Sequence, residues 1–332
     1  MNRLASFFFL FLFSLSFAQK KEVNYDFTIA FGSCNDQNRE NKLWKEVLKN
    51  DPDLWIWGGD NVYSDTEDMK QMQQDYQTLL DNKNYKLLTS STEVIGTWDD
   101  HDYGKNDAGK EYRKRAASQQ QFLNFMGVDK DDPRRKRKGV YHSKVYPTSK
   151  GTIKVIILDT RYFRDPIKKV NGAYERNETG TILGDEQWKW LKQELNNSTA
   201  DFTIIMSSIQ VLSSQHRFEK WANFPKELIK LEQTLIDTKA KNVILLSGDR
   251  HISEFTKANI QGIKYPLIDF TSSGLTHSYR DFSWEQNDNR VKKVVFTESF
   301  GVLHFDFKNK KVVMQMRGKK NVLLQEHIQH YP

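Results

Sequence analysis

Leu54-Trp55-Ile56-Trp57-Gly58-Gly59-Asp60-Asn61-Val62-Tyr63 is an apolar run that stops at two glycines, followed by an acid and, three residues later, a phenol. The run has the character of a buried strand, and the glycines let the backbone turn tightly and approach an ion closely. Asp60 supplies a hard oxygen ligand, and Tyr63 can swing back onto the same centre. The usual metal partner of a phenolate is ferric iron. A single Gly-Asp turn is ordinary loop chemistry, so the reading depends on whether other strand ends repeat it.

Three do. Residues 25–31 form a strand that leads through Gly32-Ser33 to Cys34. Residues 92–98 run into Asp99-Asp100-His101-Asp102, with Asn106 shortly after, and residues 243–246 lead into Ser247-Gly248-Asp249-Arg250-His251. In open α/β sheets, ligands bind beyond the carboxyl ends of the strands, so clusters far apart in sequence meet in space. The donors are mixed. Thiol, phenol and imidazole suit a transition metal, while carboxylate and amide oxygens suit calcium, magnesium or manganese. Two ions bridged by a carboxylate fit this set better than one, with Asp60 as the natural bridge.

Between these ends, strands alternate with helical periodicity. Met69, Met72, Tyr76, Leu79 and Leu80 recur at spacings of three and four, the stripe of a helix packed on a core. Tyr112, Ala116, Leu123 and Met126 predict a second helix, and Gly184-Asp185 opens a third, with Asp185 as its N-cap. Pro225 stands where a further helix begins. The tail from residue 267 onward is strand-rich. The pattern predicts an α/β fold: a four-layer α-β-β-α sandwich, two mixed sheets flanked by helices, with no linker that would divide it.

The 332 residues carry a formal charge of +7, too mild and too evenly spread to imply a nucleic-acid partner. Arg3, the apolar run 7–13 and Ser16-Phe17-Ala18 predict a cleavable signal peptide over residues 1–18, with residues 19–332 as one domain. The run is shorter than the ~20 apolar residues that span a bilayer, so no membrane anchor is expected and the destination is secreted or periplasmic. Cys34 is the one cysteine, and a free thiol in an oxidising compartment suggests a ligand. Arg134-Arg135-Lys136-Arg137-Lys138 reads either as a solvated loop or as a collar for a polyanion. His277 reads either as a substrate contact or as an ordinary loop residue.

Taken together, the chain resembles the PhoD-like alkaline phosphatases and phosphodiesterases of the calcineurin-like metallophosphoesterase superfamily. The resemblance rests on Gly-Ser-Cys at 32–34, Gly-Asp-x-x-Tyr at 59–63, Trp-Asp-Asp-His-Asp at 98–102 and Gly-Asp-x-His at 248–251. Leu158-Asp159-Thr160-Arg161 and Leu183-Gly184-Asp185-Glu186-Gln187 add to it. It implies ferric iron held by Cys34, Asp60, Tyr63 and His251, and calcium beside it on Asp60, Asn106 and Asp249. It further implies that Asp100 and His101 take part in catalysis, His101 as an acid-base group. The chemistry implied is hydrolysis of a phosphate mono- or diester by a metal-bound hydroxide. A phospholipase-C-like or polymer-degrading phosphodiesterase would use the same ions, and an extracellular polyanion-binding protein is the non-enzymatic rival. Two departures stand out. The expected mature chain has few residues before its first strand, without room for the family's frequent N-terminal β-sandwich, and Asp102 stands where Glu is usual.

Overall fold

The computed structural model describes residues 25–332; the expected leader lies outside them. Two mixed sheets dominate. The first has six strands in the order Leu323–His330, Lys311–Gly318, Ser299–Asp306, Phe27–Gly32, Leu54–Gly58 and Glu93–Thr97. The second has seven, in the order Arg290–Val295, Ser253–Ala258, Leu267–Ser272, Val243–Ser247, Phe202–Met206, Thr152–Ile157 and His142–Pro147. The quoted stretch lies in the first sheet, where Leu54–Gly58 pairs in parallel with a neighbour on each side.

Side chains alternate across these strands, and the alternation builds the layers. Ile29, Phe31, Leu54 and Ile56 enter the core shared with the second sheet, where Phe31 meets Phe270 edge-on at 4.8 Å. Ala30, Trp55 and Trp57 point the other way, into helices. There the Trp44 ring lies 5.2 Å from Trp55 and 5.4 Å from Trp57, contacts worth about 0.5–1.5 kcal/mol each beyond their burial. Helices Trp44–Leu48, Met69–Asp81, Lys83–Ser91 and Arg115–Phe125 cover this outer face. Helices Gly184–Asn196 and Pro225–Asp237 pack Leu191, Leu195, Leu231 and Leu235 on the second sheet. The two mixed sheets with flanking helices are those predicted.

Local details differ from the sequence reading. Asp185 is inside the first turn of its helix, which starts at Gly184 without a side-chain cap. The N–H of Gly184 donates instead to Thr181 Oγ1 at 2.8 Å, and Glu227 accepts from the N–H groups of Ile182 and Leu183 just before the helix, at 2.8 and 3.2 Å. The third strand ends at Thr97, and Asp100–Tyr103 forms a single helical turn closed by a reciprocal Asp99–Asp102 cap.

The parallel strands position everything that follows. Three lie in the first sheet and four in the second, and the carboxyl ends of both sets meet. Ser33 Oγ donates to Ser272 O at 3.2 Å, and Gly274 N donates to Ser33 O at 3.1 Å. Gly248 lies so close to this junction that a Cβ there would come within 2.6 Å of Ser33 Oγ and 2.7 Å of Gly58 O. Only glycine lets the sheet ends touch at this point.

Candidate metal centre

Cys34 and Asp60 follow the first two parallel strands of the six-stranded sheet, and Asp99, Asp100 and His101 follow the third. From the other sheet, Arg161 follows Thr152–Ile157, Ser208 follows Phe202–Met206, and Asp249 and His251 follow Val243–Ser247. Ser273 follows the last. Each of the seven parallel strands thus ends in a residue of the site or of its support.

Three donor groups form at this junction, each with ligand atoms within 4.8 Å of one another: Cys34, Asp60 and His251; Asp60, Asp100 and His101; and Asp60, Asp99, Asp100 and Asp249. Asp60 belongs to all three. The Cys34 thiol donates to Asp60 Oδ2 at 3.3 Å and lies 3.0 Å from Ser273 Oγ. Tyr63 Oη lies 3.0 Å from His251 Nε2, which brings the phenol to the thiol–imidazole end. Cys34, Asp60, Asp249 and His251 all have left-handed backbone, with φ of 58°, 50°, 65° and 54°. Such conformations are uncommon without glycine, and they concentrate at functional sites.

The electrostatics call for cations. Asp60 and Asp99 are fully enclosed and Asp100 nearly so, yet neither Asp60 nor Asp249 has an ion-pair partner among the described residues. Burial, with the charges of Cys34 and Asp100, raises Asp60 well above the usual carboxylate range. Burial and the neighbouring Asp99 and Asp100 do the same to Asp249. Burial pushes the Cys34 thiol up to about 11, so a thiolate there needs a positive ion beside it. His251 goes the other way. Burial, with His277 and His101 close by, lowers it to about 3, leaving a neutral imidazole with its lone pair available. Asp99 Oδ2 is buried without a partner. A thiol, a phenol, an imidazole and shared carboxylates, packed together without enough positive charge, fit resident metal ions.

Support comes from a buried ion-pair network that the sequence reading did not assign to the site. Arg161, wholly buried, donates to Asp99 Oδ1 at 2.5 Å and Glu219 Oε2 at 2.6 Å. Ser208 Oγ donates to the same Asp99 oxygen at 2.6 Å. Although burial opposes it, Arg161 and His101 hold Asp100 down at about 2. Asp99 is therefore tied to a guanidinium, whereas Asp100 faces the cleft.

The cleft has a volume of about 460 Å³, and Asp100, His101, Asn106, Asp249 and His251 all line it. His101 Nδ1 lies 2.7 Å from Asp65 Oδ2, and its ring lies tilted by 32° against that of Tyr63, at 4.1 Å between centroids. Against burial, that hydrogen bond and the charges of Asp60 and Asp100 push His101 up to about 11. Asn106 lines the cleft, but its amide donates to Asp107 Oδ2 at 2.6 Å rather than reaching Asp60 or Asp249. His277 joins the group: its ring lies 4.4 Å from that of His251 and 5.0 Å from that of Tyr63. The signal available for it was its place just past a parallel strand end, the same cue that marks the metal donors. Asp65, which orients His101, carried no such signal.

The basic run 134–138 is elsewhere. Arg134 pairs with Asp132 at 2.8 Å, Arg135 donates to the carbonyls of Val128 and Asp129, and the Arg137 guanidinium lies 3.8 Å above the Tyr141 ring. Arg134 and Arg137 line a separate hollow with Glu93 and Glu194. These side chains hold their own loop together and form no collar on the cleft.

Among the described residues, no helix is long and apolar enough to cross a membrane. The PhoD-like phosphatase family matches residues 29–316. Alkaline phosphatase D of Bacillus subtilis (strain 168) is 25% identical over 301 aligned residues, covering 74% of this chain and 51% of that protein. The chain thus spans about half the length of that relative. Among solved structures, one of PhoD superposes with a TM-score of 0.71 at 17% identity over 92% of this chain and 69% of its own. GAP50 of Plasmodium, described as the anchor in the inner membrane complex, gives 0.62 at 13% identity, covering 93% of this chain and 90% of that one. A dimetal phosphatase from Danio rerio gives 0.55 at 12% identity, covering 93% and 100%. These likenesses carry the fold, and the family match covers most of the sequence: the chain belongs to the PhoD-like phosphatase family.

Proposed function

We propose that this chain is a metal-dependent phosphoric ester hydrolase acting on phosphate mono- or diesters. The observation that carries the reading is the membership of Asp60 in all three donor groups, as expected of a carboxylate shared between two ions. We assign ferric iron to Cys34, Asp60, Tyr63 and His251, and calcium to Asp60, Asn106 and Asp249. The assignment of Asn106 requires its amide, now bonded to Asp107, to turn towards Asp60 and Asp249. When bound, the ions supply an activated water and the positive charge that a phosphoryl group needs.

The protein's own part is orientation and proton transfer. Asp60 and Asp100 accept backbone N–H groups, of His101 at 3.4 Å and of Asp107 at 2.6 Å respectively, which fix their carboxylates. Asp65 holds His101 by Nδ1 and leaves Nε2 for the cleft, where it donates a proton to the departing ester oxygen. The Arg161 network keeps Asp99 and Asp100 apart in function, one structural and one catalytic. A binding protein with a purely structural metal would need a closed site, whereas Asn106, Asp249 and His251 among these donors line the cleft. Export by a leader over residues 1–18, leaving residues 19–332 as one domain, belongs to the same proposal.

The test is direct. Purified protein assayed for metals and for turnover of nitrophenyl phosphate and bis-nitrophenyl phosphate should contain iron and calcium and should hydrolyse at least one ester. Protein loaded with both ions and inert towards every ester in a broad panel would sink the reading.

A further inference from the structure

Beside the metal cleft is a second hollow of about 440 Å³, within the range of roughly 300–1,000 Å³ usual for small-ligand sites. Arg217, Phe218 and Tyr279 line both, so the two spaces adjoin. Their common wall is tied to the metal centre, because the N–H of Tyr279 donates to the carbonyl of His251 at 2.8 Å. Beyond that wall the lining turns aromatic, with Phe282 and with Trp284, which is 77% exposed. Trp284 is the most exposed large apolar side chain among the described residues, and it stands at this hollow.

His216 adds a second and independent observation. It lines the same hollow at 4% exposure, and neither of its ring nitrogens has a hydrogen-bond partner. Buried polar atoms are nearly always satisfied, so two orphans on one ring need an explanation. Burial, together with Arg250, Lys220 and Arg290 close by, keeps this imidazole neutral, with one donor and one acceptor that no protein group uses. Those cations exclude a metal. Arg250 is already held by both oxygens of Glu285, at 2.7 and 2.8 Å, and Arg290 by Glu254 at 2.5 Å, so neither of these two is left for an anion.

A neutral flat ring with a hydrogen-bonding edge matches what remains: aromatic faces to stack on and an imidazole to pair with. We infer that this hollow binds the base of a nucleoside phosphate ester whose phosphate occupies the metal cleft. The phosphate half of the inference rests on the hydrolase reading above; the base half does not. Base stacking on an aromatic side chain is strong enough to change affinity by about tenfold or more.

Adenosine, which has no phosphate, tests the hollow alone. Titrated calorimetrically into the metal-loaded protein, it should bind saturably, and about tenfold more weakly in Trp284→Ala and in His216→Phe. Trp284 is a surface residue, so its variant keeps the test valid if His216→Phe does not fold. In turnover, kcat/KM for adenosine 5′-phosphate should exceed that for glycerol 3-phosphate by about tenfold, and Trp284→Ala should bring the ratio near one. Absence of adenosine binding, or a wild-type ratio near one, would overturn the inference. An equal advantage for glucose 6-phosphate would overturn the choice of a base over a sugar ring. Failure to turn over any phosphate strikes the hydrolase reading instead, while the adenosine titration still decides the hollow.

Discussion

His101 is held by one ring nitrogen and free at the other, an arrangement that separates orientation from chemistry. Asp65 fixes Nδ1, and Tyr63 supports one face of the ring. If Nε2 gives its proton to the leaving oxygen, the loss should matter most where the leaving alkoxide is a poor one. His101→Ala is therefore expected to retain its metals and to lose about 10²–10⁴-fold on an alkyl phosphate, but much less on nitrophenyl phosphate. Equal losses on both, accompanied by lost metal, would make His101 a ligand or a prop. Tyr63 is expected to reveal the ion it meets. A phenolate on ferric iron absorbs visible light, so the protein should be coloured, and the band should shift strongly in Tyr63→Phe. A colourless, fully active protein holding only zinc or magnesium would exclude iron.

At the scale of elements, the strands were legible wherever apolar runs stopped at glycine or at a polar cluster, and the donor-bearing ends of 25–31, 54–57, 92–98 and 243–246 were read from that cue alone. The helix Lys83–Ser91 was not read, because it buries only Tyr85 and Leu88 and is started by the side chain of Asn82. The Arg161–Glu219 pair was equally hidden. Its partners are separated by 58 positions, and nothing local marks Glu219 as buried. Asp269 shows what such interior polar groups do to stability. In the strand Leu267–Ser272 it accepts from Val211 N at 2.7 Å, Leu212 N at 3.0 Å and Ser247 Oγ at 2.7 Å. Burial outweighs those bonds and raises it to about 6. With a folded-state value above the unfolded one, its contribution is fully present below about pH 4 and is lost as pH rises through about 6. An asparagine could keep its carbonyl on the two N–H groups and donate to Ser247, whose hydroxyl can turn to Thr271 Oγ1, 2.9 Å away. Asp269→Asn should therefore gain on the wild type between pH 4 and pH 7, by at most roughly 3 kcal/mol. Denaturant midpoints of both proteins at the two pH values measure this, and parallel curves would refute it.

Across the whole molecule, the ions are expected to differ in how firmly they are held. Oxygen donors release calcium to chelators more readily than a thiolate releases iron. EGTA should abolish turnover, leave the colour largely intact and lower the melting temperature, because ions bound only by the folded state stabilise it; calcium should restore turnover and melting temperature. Activity that survives exhaustive chelation would mean a different second ion. The placement of the donors has a mechanical side as well. Cys34, Asp60 and Tyr63 hang from one sheet, and Asp249 and His251 from the other. The two sheets act as the jaws of a calliper closed on the core at Phe31 and Phe270 and stopped at Gly248. The gap between the halves of the centre is thus a dimension of the sandwich rather than of any loop. Trimming Phe270, 19 residues from His251 in sequence, would reset that gap while leaving every donor residue unchanged, and would detune the centre without touching it.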